Sequence, residues 1–316
     1  MRPIVLLAAV LCCLAAAARA DGPTIAVFTK DLTNPFYEAF RNGAEMAVKG
    51  AGGRAVQYAP NRPDNIAEQM NQVENAIAAH PDAMILVPVD VKALAPAINK
   101  VNAARIPLVN AAERAPAGEF VSYVGSDDFA MARDTATLLL KAIGGRGKVI
   151  ILEGNRGSET NRQRMDGFRE ALKAYPDVAL LAAQPANYQR LQALQVTENL
   201  LQAFAQVDGI LAANDSMALG AIEALAGAKR KAAVIGINAT PEGIGAIKQG
   251  SLLASGDFDG FKMGCVAAMA VLRHLQGQVV PKTVALPVTV VDKSNYQPWD
   301  RPAGDRTCPA WAEIVK

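Results

Sequence analysis

Apolar runs of five to seven residues alternate along this chain with longer stretches in which apolar positions recur every three or four residues. The runs at 24–29 (TIAVFT), 54–59 (RAVQYA), 83–88 (AMILVP) and 106–110 (IPLVN) predict strands buried on both faces. Between them, 35–50, 64–79 and 91–104 predict helices, the second capped by Asp64 and the first ended by Gly52-Gly53. The pattern then restarts, with strands at 148–154, 178–183, 208–214 and 232–238 and helices at 158–174, 190–206, 215–227 and 241–249. Such alternation predicts an α/β fold, a parallel sheet with helices on both faces, and two runs predict two Rossmann-like lobes. After 251–258 (SLLASGDF) come a helix at 260–276 and a strand at 283–291 (TVALPVTVV). If these return to the first lobe, the chain crosses between lobes more than once, which makes a hinge. The expected division is 21–126 with 258–288 as the first lobe and 127–257 with 289–316 as the second. Residues 292–316, rich in Pro, Trp and charge, are expected to wrap the surface as a tail.

Residues 1–20 (MRPIVLLAAVLCCLAAAARA) stand outside this pattern. A basic start at Arg2, an apolar run from Ile4 to Ala18 and an Ala18-Arg19-Ala20 site before Asp21 read as a signal peptide, cleaved after Ala20 and directing the chain to the periplasm. The run is short for a membrane span. Without Arg2 and Arg19, the 32 basic side chains become 30, against 30 acidic ones. A neutral chain with no basic stripe or cluster excludes nucleic acid and an anionic membrane surface as partners. Cys265 and Cys308 remain after cleavage. In an oxidising compartment they can pair and pin the tail to the 260–276 helix; two unpaired buried thiols are the alternative.

Catalytic and cofactor patterns are missing. AIGGRGKV (142–149) lacks the spacing of a phosphate loop, and GNRGSETNR (154–162) is not G-x-G-x-x-G. His80 and His274 are the only histidines, without zinc-ligand spacing, and no G-x-S-x-G elbow occurs. The chain is therefore expected to be no enzyme and to carry no cofactor or metal. What does gather is polar and aromatic side chains at strand ends, where ligands sit in open parallel sheets. These are Lys30, Asn34, Phe36, Tyr37 and Asn110 in the first run, then Arg164, Tyr188, Asn214 and Asn238 in the second, with Asp257 at the expected crossover. Asn214 and Asn238 serve equally well as helix caps or turn residues.

Six segments carry a resemblance: NPFYEAFRNGAEMA, PVDVKALAPAINKVNAARIPLVN, VGSDD, NRQRMDGFREAL, AANDSMALGAIEAL and GINATPEGIGAIKQG. In order and spacing they resemble the ribose-type periplasmic solute-binding proteins, which feed ABC sugar importers and share their domain with LacI-type repressors. A repressor would need a helix-turn-helix where residues 1–20 stand. The resemblance spans about 21–291 and implies two lobes joined by three hinge crossings, closing on a small ligand. By that likeness Asn34 bonds sugar hydroxyls, Phe36, Tyr37 and Tyr188 offer rings, and Arg164 and Asn214 donate to ligand oxygens. It also implies a monomer that meets an ABC permease, or alternatively a membrane receptor. Val87, Ala112 and Phe258 depart from it by removing polar groups, Asn238 replaces a carboxylate and Lys30 a hydroxyl. Glu113-Arg114 offers an acid–arginine pair one residue out of register. The departures point to a ligand with fewer hydroxyls than ribose, with Lys30 and Asp257 near the cleft mouth.

Overall fold

A computed structural model describes residues 22–315, so the expected signal peptide lies outside the described residues. The chain runs β1 (Thr24–Phe28), α1 (Pro35–Gly50), β2 (Arg54–Tyr58), α2 (Ile66–Ala78), β3 (Ala83–Leu86), α3 (Ala95–Ala103), β4 (Leu108–Ala111) and β5 (Ser122–Ser126). It then enters the second lobe with α4 (Asp128–Ala142), β6 (Gly147–Glu153), α5 (Glu159–Lys173), β7 (Val178–Pro185), α6 (Arg190–Ala203), β8 (Gly209–Ala212), α7 (Asp215–Gly227), β9 (Ala233–Ile237), α8 (Pro241–Gln249) and β10 (Ala254–Gly256). Helix α9 (Gly260–Leu275) and β11 (Thr283–Leu286) return to the first lobe, and β12 (Val290–Asp292) goes back to the second.

The sheets are ordered β2-β1-β3-β4-β5-β11 and β7-β6-β8-β9-β10-β12. Every pairing is parallel except β10 with β12. The chain thus passes between the lobes at 126–128, 256–260 and 286–290. Pro287 interrupts the apolar run 283–291, which is two strands on different sheets and not the single strand its letters suggest. Strand β5 and helix α4 were also not anticipated. Helix α4 packs on α5, β9 and β10, burying Met131, Ala132, Thr135, Ala136, Leu139 and Leu140. Helix α2 is capped by Asn65, which accepts from the Glu68 amide, and not by Asp64. Asp64 instead adopts φ 56° and turns its carboxylate to Lys30.

Helix α9 joins the first lobe by lying directly on α1. A Cβ at Gly43 would come 2.1 Å from the Phe261 carbonyl oxygen, and one at Gly264 2.0 Å from that of Phe40. Only hydrogen at both positions lets the backbones approach this closely.

The tail begins on the second lobe and ends on the first. Asp300 pairs with Lys248 of α8 at 2.8 Å. Arg306 then reaches both carboxylate oxygens of Asp259, at 2.6 and 2.5 Å, beside the middle crossing. Its guanidinium lies 4.6 Å above the Phe261 ring. A disulfide joins Cys308 to Cys265 of α9, with Cα atoms 5.5 Å apart, and Arg273 sits over Trp311.

Candidate functional site

The loops at the carboxyl ends of both sheets face each other, and the lobes are shut on them. On the first-lobe side, the β1 loop turns on Asp31, whose Oδ1 accepts from the amides of Thr33 and Asn34. That turn sets Asn34 as the cap of α1, its Oδ1 accepting from Phe36 N at 3.0 Å. The Asn34 amide nitrogen has no partner among the described residues. The adjacent rings then diverge: Phe36 stacks on Phe258 at 4.9 Å, while Tyr37 meets Phe36 edge-on at 5.0 Å. A helix start directs neighbouring side chains about 100° apart, so one ring reaches the hinge crossing and the other lines the wall near Lys30.

Lys30 is not at the mouth of the cleft. It is 1% exposed, with Nζ 3.0 Å from Glu113 and 3.3 Å from Asp64. Burial alone would lower its pKa, but Glu113, with Tyr37 and Asp64, holds it well above the ordinary lysine value. Tyr37 is raised by its own burial, against the pull of Lys30.

From the second lobe, Arg164 is 2% exposed. Its Nε donates to Asp128 at 2.8 Å and Nη1 to the Ala213 carbonyl at 2.6 Å, and its plane lies 4.7 Å over the Phe258 ring. These bonds leave Nη2 uncommitted. Burial pushes Asp128 up to about 7, with Arg164 opposing. Tyr188 adopts φ 61°, and its ring covers Gly154, where a Cβ would fall 2.1 Å from it. Its hydroxyl is buried without a partner, and burial raises its pKa. Asn238, at φ 126°, is buried with no side-chain hydrogen bond among the described residues.

The structure gives three candidates different work. Asn110 donates to the carbonyls of Leu86 and Glu113 and accepts from Ala115 N, so its amide pins the β4 loop. Asn214 caps α7 and donates to the Tyr188 carbonyl at 3.3 Å, fixing the loop that carries the ring. Asp257 is not at the mouth either. It is 5% exposed on the hinge crossing, beside Asp259, Lys262, Arg306 and Trp299 of the tail.

Three further residues complete the arrangement, and of these only Glu113 figured in the sequence, in the Glu113-Arg114 pair. Asp128 holds Arg164. Glu113 crosses to the second lobe, where Ser158 Oγ and Thr160 N donate to it at 2.5 and 3.1 Å. Gln189 donates to Asp31 from the opposite side at 3.1 Å. Of the other two, only Asp128 had a local signal, the doubling of Asp127-Asp128 at a helix start, since one acid caps α4 and the other is left over. Where the lobes meet, rings thus stand with polar side chains that have hydrogen-bonding capacity to spare, the chemistry that suits a polyhydroxylated molecule.

A family model described as a periplasmic binding protein domain matches residues 25–278. The chain belongs to that family. It is 30% identical over 270 residues to the ribose import binding protein of Haemophilus influenzae, covering 85% of this chain and 91% of that one. It is 31% identical over 243 residues to the xylitol-binding protein of Mycolicibacterium smegmatis, covering 76% and 68%. Among solved structures, a periplasmic solute-binding protein of an ABC transporter from Actinobacillus succinogenes, with bound D-allose, aligns at TM-score 0.83 and 34% identity over 87% of this chain and 99% of that one.

Proposed function

We propose that this protein captures a neutral sugar or polyol between its lobes in the periplasm and delivers it to an ABC importer, as a monomer without catalysis. The observation that carries this reading is the buried Tyr188 hydroxyl without a hydrogen bond, together with the Asn34 amide nitrogen and the Asn238 side chain, which make none among the described residues. A buried polar group without a hydrogen bond costs about 1–3 kcal/mol, so each is a place a hydroxyl can fill. Arg164 Nη2 adds a charged donor. The two buried cations already face Glu113, Asp64 and Asp128, so an acidic ligand would find no unneutralised charge. Residues 1–20, as a signal peptide, direct export and are then removed after Ala20, so amino-terminal sequencing of the secreted protein should begin at Asp21.

Within this class, Val87, Ala112 and Phe258 are buried and apolar where the family resemblance implies polar groups. A ligand with fewer hydroxyls than ribose follows. Calorimetric titration tests it: D-ribose, D-glucose and D-galactose should bind no tighter than about 10 μM, roughly −6.8 kcal/mol. A short polyol such as glycerol, or a deoxy sugar such as 2-deoxy-D-ribose, should bind tighter. Submicromolar ribose binding would reverse the ranking.

A further inference from the structure

We propose that Glu113 is a clasp that holds the two lobes shut, and that it does so without touching the ligand. The second half of that statement rests on the ligand reading above; the first half stands without it.

The loop after β4 is built to present this one carboxylate. Ala112 turns through φ 57°, and Glu113 N donates back to the Ala111 carbonyl at 2.7 Å. The Tyr123 hydroxyl holds the Ala112 carbonyl at 2.9 Å, and Asn110 holds the Glu113 carbonyl at 2.8 Å. From this stapled base the side chain leaves its own lobe. Oε1 accepts from Lys30 of the first lobe at 3.0 Å and from Ser158 of the second at 2.5 Å, and Oε2 accepts from Thr160 N at 3.1 Å. Ser158 caps α5 and Thr160 lies in its first turn, so the carboxylate occupies the positive end of a 15-residue helix. Three donors serve its two oxygens, and Glu113 is 2% exposed. Burial, more than a full set of donors, keeps a ligand hydroxyl from it, since Oε2 carries a single bond. By contrast, Arg164 and Asn214 are bonded within the second lobe, and Asn34 within the first.

Opening the lobes would strip Glu113 of both α5 donors and leave it with Lys30. The clasp therefore favours closure before any ligand arrives and slows reopening afterwards, an effect read in the release rate. The competing account is that Glu113 only neutralises the buried Lys30. Two substitutions separate these roles. Glu113→Asp keeps the charge beside Lys30 but is one methylene too short to span to α5. Glu113→Gln keeps the reach but loses the charge.

The test uses the oxidised full chain, with small-angle scattering in the absence of ligand. Stopped-flow release follows for whichever of D-ribose, 2-deoxy-D-ribose, glycerol and xylitol binds. Both variants should show a larger radius of gyration than wild type and release the bound probe about 10- to 100-fold faster, with association little changed. An Asp variant as compact and slow-releasing as wild type would reduce Glu113 to a counter-ion and overturn the clasp. A changed rank order among the four probes would show that Glu113 contacts the ligand and overturn the second half of the proposal. If none of the four binds, the ligand reading fails while scattering still decides the clasp. Should the Gln variant not fold, the Asp variant decides alone.

Discussion

Glu113 and Asp257 are both buried carboxylates where the lobes meet, 2% and 5% exposed, yet their surroundings are opposite. Glu113 finds an ammonium and a helix N-terminus, and each oxygen is bonded. Asp257 has an Oδ1 with no partner, and its burial, reinforced by Asp259, pushes it up to about 6, against Lys262, Trp299 and Arg306. The difference shows what a buried acid requires: donors fixed in place by other parts of the fold, not merely positive charge nearby. The cleft supplies them through Lys30 and α5. The hinge supplies Arg306, but Asp259 takes both of its bonds.

The largest break in this contrast comes from leaving a third buried carboxylate stranded. Arg164→Ala removes the partner of Asp128 and should destabilise the ligand-free protein by about 3–5 kcal/mol in urea unfolding. Adding Asp128→Ala should recover part of that loss. The family resemblance gives Arg164 a role in binding; its burial and its two internal bonds make it part of the fold as well.

Next comes the tether behind the hinge. Cys308→Ser opens a loop of 43 residues' separation and should cost about 3–4 kcal/mol of thermal stability on chain-entropy grounds. Reductant should lower the wild-type melting temperature and leave the variant unmoved. If cleft and hinge act separately, probe release should not change.

Asp257→Asn sharpens the comparison from the other side. A carboxyl whose folded pKa is raised from 3.8 to about 6 gives stability that is complete below about pH 4 and lost as pH rises to about 6. Wild type should therefore weaken across that window. The Asn variant should lack this slope and be about 2–3 kcal/mol more stable at pH 7. Chemical unfolding at pH 4, 5, 6 and 7 measures it, and parallel wild-type and variant curves would defeat it. The smallest effect belongs to Gln189→Ala, which deletes one half-exposed bond between the lobes to Asp31. About 0.5–1.5 kcal/mol is expected, seen as weaker ligand binding with almost unchanged unfolding.

The two-sheet architecture was legible because buried parallel strands and amphipathic helices have different periods. Reading failed where those signals fade. Helix α4 is buried on more than one side, so Ala132, Thr135, Ala136 and Leu139 draw no clean stripe. Strand β5 mixes Ser122, Tyr123 and Gly125. The run 283–291 looks continuous because the sequence does not mark which sheet each half joins. At the site, strand-end position located the residues but not their partners. Asn110 and Asn214 stand where ligand donors stand, and only the fold shows their amides bonded to loops. Nothing local to Glu113 announces Ser158, 45 positions away.

The placement of the disulfide also bears on how the cell makes this protein. Every strand of both sheets precedes Cys308 in the chain, while Cys265 lies wholly buried in α9. The cross-link can form only once the chain for both lobes has been delivered to an oxidising space. With residues 1–20 removed, a chain stalled short of residue 308 carries the twelve strands of the described residues and a single cysteine. That lone sulfur is a chemical mark of unfinished synthesis, open to thiol exchange with the compartment's folding catalysts. The finished molecule no longer bears it.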